Sequence, residues 1–172
     1  MQSEKLIAEI ASAIDILEEA FKNNKKVLFC GNGGSAADSE HLAAELSGRF
    51  KLNRKPLNAD ALHNSGSALT AISNDYSYDQ VYARLVEAKG QKGDVLIAIS
   101  TSGSSQNVIN AIATAHSLSM KIITISGQSN PRYHDKSDIK IVIPSTDTAR
   151  IQESYMLIGH IICEQVEKNL FA

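Results

Sequence analysis

The chain has 172 residues, 43% of them hydrophobic, with 17 basic and 19 acidic side chains and a formal net charge of −2. That length supports one domain, residues 1–172, with a sizeable core. The mixed charge announces no nucleic-acid or membrane surface, and the lack of tryptophan argues against a platform for stacking bases. No apolar run is long enough to span a bilayer, and Glu4, Glu9 and Asp15 break up the apolar residues at the start. Neither a membrane span nor a signal peptide is read, and the cytoplasm is the expected compartment. Cys30 and Cys163 read as buried thiols rather than a disulfide or a metal pair.

Residues 3–23 predict a helix, because Leu6, Ile7, Ile10, Ile14, Leu17 and Phe21 form one stripe with Glu and Lys opposite. Asn23-Asn24 ends it. Residues 26–30 are a short apolar run and predict a buried strand. Gly31-Asn32-Gly33-Gly34-Ser35 follows, then a helix from Ser35 to about Phe50. Residues 57–62 predict a strand interrupted by Asn58 and Asp60. A turn at 63–66 leads into a short helix over 68–73, stopped at Asn74-Asp75, and residues 78–89 predict another helix. Val95 to Ile99 is a clear buried strand, followed by a small-residue loop at 100–105 and a helix over 106–118. Further strands are expected at 121–125 and 139–143, separated by a loop or brief helix at 126–135. A long helix at 148–170 carries Ile151, Met156, Ile158, Ile161, Ile162 and Val166.

Alternating apolar strands and helices predict an α/β fold: a doubly wound parallel sheet flanked by helices on both faces. Such sheets bind ligands beyond the carboxyl ends of their strands, where both small-residue loops emerge. Strand, glycine turn and helix aim backbone N–H groups and a positive dipole end at an anion. The glycine spacing matches neither the dinucleotide fingerprint nor the phosphate loop of nucleotide hydrolases. In the second loop Ser100, Thr101, Ser102, Ser104 and Ser105 put five hydroxyls in six positions at a helix start. Hydroxyls with free amides suit a phosphate; the plain alternative is a turn with Ser104 or Ser105 as helix cap.

His41 and Glu45 are one helical turn apart and share a face. That spacing serves either a solvated surface contact or two ligands on one metal ion. His160 lies between Ile158 and Ile161, where a histidine is often a hydrogen-bonded core residue. Gln152, two turns earlier, points to broadly the same side.

Taken together, Cys30 to Phe50, Ile72 to Tyr76, Gly93 to Ser105 and Ala149 to Glu153 with His160 resemble the phosphoheptose isomerase family, which has the sugar isomerase (SIS) domain fold, a flavodoxin-like three-layer sandwich. The resemblance covers residues 25–168. It implies an aldose–ketose isomerase that converts sedoheptulose 7-phosphate, a phosphorylated seven-carbon sugar, to D-glycero-D-manno-heptose 7-phosphate, towards activated heptose for bacterial surface glycans. It also implies Glu45 and His160 as catalytic base and acid. His41, Glu45, Gln152 and His160 would hold one zinc ion. Asn32, Gly33, Gly34, Ser35, Glu45, Asn74, Asp75, Ser100, Thr101, Ser102, Ser105 and Gln152 would contact substrate. Members assemble as homotetramers with sites at subunit interfaces; neither nucleic acid nor membrane is implied as a partner. The loops at 63–67 and 128–136 depart from the family pattern, which bears on substrate choice. The competing readings are a non-catalytic SIS binding module, similar to a replication-initiator-associating protein, and an isomerase of another sugar phosphate. The carboxylate at Glu45, together with His160, favours the enzyme.

Overall fold

The computed structural model describes residues 2–128 and 134–172. Its strands are β1 (Val27–Cys30), β2 (Ala59–Ala61), β3 (Val95–Ser100), β4 (Lys121–Ser126) and β5 (Ile139–Val142). Its α-helices are α1 (Gln2–Lys22), α2 (Gly34–Ser47), α3 (Gly66–Asp75), α4 (Val81–Lys89), α5 (Gln106–Ser117) and α6 (Thr148–Phe171). The strands pair in the order β2-β1-β3-β4-β5, every pair parallel.

Alternation along the strands divides the core in two. Val27, Phe29, Val95, Ile97, Ile99, Ile123 and Ile125 face a cluster built with α1, α2 and α6. Leu28, Cys30, Leu96, Ala98 and Ile122 face a second cluster built with α4 and α5. The central strands β1 and β3 are buried at every position, which is why they read as unbroken apolar runs. The expected doubly wound, three-layer architecture is therefore present.

Four local expectations need correction. The second helix stops at Ser47 rather than near Phe50, with Gly48 N–H closing onto Ala44 O. The chain leaves the helix because a carboxylate on α6 captures its next amides: Phe50, Lys51 and Leu52 all donate to Glu167. The strand expected over 57–62 pairs only at Ala59–Ala61, because Leu57 N–H turns instead to Leu46 O on α2. The helix expected over 68–73 is longer, Gly66–Asp75, with Ser65 accepting from Ala68 N–H as its cap. Residues 78–80 form a tight 3₁₀ turn before α4. Of the divergent loop at 128–136, a 3₁₀ turn covers His134–Lys136, and residues 129–133 lie outside the described residues.

Candidate active site

The chain runs from β1 outward to β2 in one direction and from β3 outward to β4 and β5 in the other. The crevice between the carboxyl ends of β1 and β3 is thus the topological switch point, where open α/β sheets take ligands. The glycine turn leaves β1 and the serine loop leaves β3 on either side of it. A reciprocal amide pair joins them: Asn32 Nδ2 donates to Asn107 Oδ1 and Asn107 Nδ2 to Asn32 Oδ1, each at 2.8 Å. Tyr78 Oη also donates to Asn32 Oδ1, at 3.0 Å. Behind the turn, the buried Tyr82 hydroxyl donates to Gly31 O, and burial pushes its ionisation up.

The serine loop does not use its hydroxyls as helix caps. Ser105 is the N-cap of α5, yet its side chain makes no cap bond; its Oγ lies 3.1 Å from Ser100 Oγ instead. Gly33, the N-cap of α2, has φ of 57° and no side chain with which to cap. Neither N-cap residue therefore uses a side chain, although Asn107 Oδ1 accepts from Val108 N–H in the first turn of α5. Ser102 is exposed and Thr101 half-buried, while Ser100 is buried with its Oγ accepting from Gly103 N–H. A cleft of about 170 Å³ opens beside Thr101 and Ser102, closed on its far side by Ser145, Thr146 and Thr148.

On the other side of the sheet edge, α2 packs on α6. Gly159 permits the approach: a Cβ there would meet Leu42 side-chain carbons at 2.7–2.8 Å. The next residue on α6 and the preceding one on α2 then meet. His41 Nε2 is 3.0 Å from His160 Nε2 and 3.4 Å from Glu45 Oε1. One donor atom from each of His41, Glu45 and His160 lies within 4.8 Å of the others. The His160 ring is flanked by His41 and by Phe50, with centroids 5.2 Å and 5.9 Å away.

Two imidazoles and a carboxylate form a nitrogen–oxygen donor set that suits zinc. Nε2 atoms at 3.0 Å either share a proton or turn both lone pairs on a common cation. Bonds of about 2.0–2.1 Å in a tetrahedron imply donors roughly 3.3 Å apart, close to both spacings here. Three of the four expected ligands thus form a group that could hold a metal ion. The fourth, Gln152, sits further along the crevice, where its amide donates to Asp38 Oδ2 at 2.6 Å. Its side chain lies against Gly34, whose missing Cβ would come within 2.5 Å of Gln152 Nε2.

Asn74 and Asp75, at the end of α3, are exposed and bonded to each other, Asn74 Nδ2 donating to Asp75 Oδ1 at 2.9 Å. They lie just before Tyr78, whose hydroxyl reaches the glycine turn. Sequence reasoning missed several supporting residues. Asp38 accepts from both Gln152 and Tyr155. Arg54 ties the end of α2 to Glu167. His63, given no role, has its ring 3.1 Å from Ala36 O and from Glu40 Oε1. The one available signal was helical spacing, which puts Asp38 one turn before His41 and Tyr155 one turn after Gln152.

Parallel strands in the order 2-1-3-4-5 define a flavodoxin-like doubly wound fold, and the SIS domain family matches residues 2–127. A phosphoheptose isomerase of Helicobacter pylori (strain P12) is 48% identical over 166 residues, covering 96% of this chain and 86% of that protein. One from a Nitratiruptor species is 51% identical over 166 residues, covering 96% and 89%. The solved phosphoheptose isomerase of Neisseria gonorrhoeae superposes with a TM-score of 0.89 at 39% identity, over 96% of this chain and 89% of that one. The chain belongs to the phosphoheptose isomerase family, a family of isomerases.

Proposed function

We propose that this chain interconverts sedoheptulose 7-phosphate and D-glycero-D-manno-heptose 7-phosphate through an enediol, as an early step of activated-heptose synthesis. The observation that carries the proposal is the meeting of Glu45 on α2 with His160 on α6. Aldose–ketose isomerisation moves a proton between adjacent carbons while charge builds on a carbonyl oxygen. Glu45, as carboxylate, takes the proton from carbon, and the His160 imidazole serves the oxygen. Ser100, Thr101, Ser102 and Ser105 hold the phosphate, with Gly33, Gly34 and Ser35 lining the crevice. Asn32, Asn74, Asp75 and Gln152 orient the sugar so that its reacting carbons reach Glu45.

His41, Glu45 and His160, with Gln152, would hold a zinc ion, which supplies Lewis-acid polarisation of a carbonyl. Glu45 then has two uses, ligand and base, and Gln152 has two, ligand and sugar contact. The assembly is a homotetramer in this reading. Its support is the apolar surface left on two helices: Leu157 and Ile161 on α6 are 63% and 40% exposed, and Ile7 on α1 is 64% exposed. Among the described residues no helix is long and apolar enough to cross a membrane, and the proposed compartment is the cytoplasm.

The test is direct. Purified protein is mixed with sedoheptulose 7-phosphate, and aldose formation is followed with and without added zinc. Turnover that depends on Glu45 supports the proposal; no turnover under either condition defeats it.

A further inference from the structure

Asp38 lies in the first turn-and-a-half of α2, on the face turned towards α6. Its Oδ2 receives two short hydrogen bonds, from Tyr155 Oη and from Gln152 Nε2, each at 2.6 Å. A carboxylate can only accept, so both neighbours must present protons to it. The buried Tyr155 keeps its phenolic proton, because burial and the bond to Asp38 both raise its ionisation. That single proton goes to Asp38. Ser35, whose Oγ is 3.0 Å from the phenol oxygen, therefore donates to Tyr155 and closes the chain of bonds back to the glycine turn.

The consequence falls on Gln152. An amide is ambivalent: either end can face a ligand, and the two ends offer opposite chemistry. With its NH₂ held by Asp38, the carbonyl end has one orientation left. Gly34 packs on one side of the amide, where an added Cβ would meet Nε2 at 2.5 Å and Oε1 at 2.9 Å. Among the described residues, Gln152 Oε1 has no hydrogen-bond partner. We infer that Asp38 is a positioning residue that fixes the Gln152 amide with its carbonyl oxygen, an acceptor, turned to the ligand site. This rests on the proposal that Gln152 touches the ligand. It adds that the contact is made by lone pairs: to a sugar hydroxyl proton or to a bound cation.

The experiment compares Asp38→Asn, Gln152→Glu, the double variant and Tyr155→Phe. For each, kcat and KM with sedoheptulose 7-phosphate, zinc affinity by chelator competition, and thermal midpoint are measured. Asp38→Asn no longer dictates which end of Gln152 faces it. It should lower kcat/KM or zinc affinity by roughly 10–100-fold, the usual size of an outer-shell loss. A rise in KM at unchanged zinc affinity assigns the carbonyl to a sugar hydroxyl; a fall in zinc affinity assigns it to the cation. Gln152→Glu alone sets two carboxylates against each other. Joined with Asp38→Asn, it restores a donor facing an acceptor and should recover activity relative to both single variants. Tyr155→Phe removes the other bond to Asp38; it should lower the thermal midpoint and reduce kcat/KM less than Asp38→Asn does.

Wild-type kcat/KM and zinc affinity in Asp38→Asn would overturn the inference. So would a double variant no better than the single ones, or a Tyr155→Phe loss equal to that of Asp38→Asn. Should Asp38→Asn fail to fold, the comparison of the double variant with Gln152→Glu still decides. If the wild-type protein does not turn over the sugar, the functional proposal fails, while the zinc arm still reads the positioning role.

Discussion

Arg54 and Glu167 form an ion pair of 2.8 Å with side chains only 1% and 2% exposed. The pair is satisfied on all sides. Glu167 also accepts from Phe50, Lys51 and Leu52 N–H, and Arg54 gives Nη1 to Leu46 O and Nη2 to Glu45 O. The clamp therefore joins the end of α2, which carries Glu45, to α6, which carries His160. It also sets Phe50 against the His160 ring. Glu167→Ala leaves a buried guanidinium without its counter-charge and three amides without their acceptor. The expected loss is about 3–5 kcal/mol of stability, read by chemical denaturation. A loss below about 1 kcal/mol would mean the clamp relaxes into solvent.

The same carboxylate predicts the acid limb of stability. Burial raises the Glu167 ionisation, but the backbone amides of Leu52, Lys51 and Phe50, with Arg54, outweigh it and hold the group down at about 2. A carboxyl group lowered in the folded state contributes stability that is fully present above its ordinary range, near 4.5. That contribution is lost as pH falls from there towards about 2. Unfolding followed between about pH 5 and pH 2 should show stability weakening steadily, and Glu167→Gln should flatten that slope. An unchanged slope in the variant would assign acid unfolding to other carboxylates.

Glu45→Gln keeps size and hydrogen bonding but cannot accept a proton from carbon. It should lower kcat by roughly 10²–10⁴ while sugar phosphate still binds. His160→Gln should also lower kcat heavily. Zinc content must be measured on the same samples, because both residues are proposed ligands. Activity that returns to Glu45→Gln on adding zinc would show the carboxylate acting as ligand, with the base elsewhere.

For the serine loop, Ser102→Ala with Ser105→Ala should raise KM for the phosphorylated sugar and leave the thermal midpoint near wild type. Neither hydroxyl caps α5: Ser105 Oγ faces Ser100, and Ser102 Oγ faces Ser104. Unchanged kinetics in the double variant would reduce the loop to a structural turn.

Gly34→Ala isolates the Gln152 contact from folding. Alanine suits the first turn of a helix better than glycine, so stability should hold or rise. Its Cβ would lie 2.5 Å from Gln152 Nε2, so the amide must swing away. The thermal midpoint and KM measured together should show a protein at least as stable that binds its sugar more weakly.

Much of the frame was legible because burial on both faces leaves an unmistakable mark. β1, β3 and β4 are almost wholly buried and read as apolar runs. β2 was blurred because it is a three-residue edge with Asp60 half-buried, so no pattern of any length exists. His41, Glu45 and His160 were legible as types, yet only packing through Gly159 brings the two helices close enough to join them. Asp38, Arg54 and Glu167 were illegible for a different reason. Glu167 sits beside Lys168 and resembles any solvated helix residue, and its partner Arg54 is 113 positions away. The bond from Gln152 to Asp38 spans 114. No local rule links such residues; only the assembled sheet does.

The two helix starts at the crevice have a thermodynamic consequence for the protein as a whole. α6 begins with its own cap, Asp147 accepting from Ala149 and Arg150 N–H, whereas Gly33 and Ser105 give α2 and α5 nothing equivalent. A phosphate bound there, as proposed, would act as a cap supplied from outside the chain. Folding and ligand binding become linked equilibria: at about one hundred times its dissociation constant, a ligand specific to the folded state adds about 2.7 kcal/mol. In the proposed reading, sugar phosphate would thereby stabilise the folded chain as well as serve as its substrate.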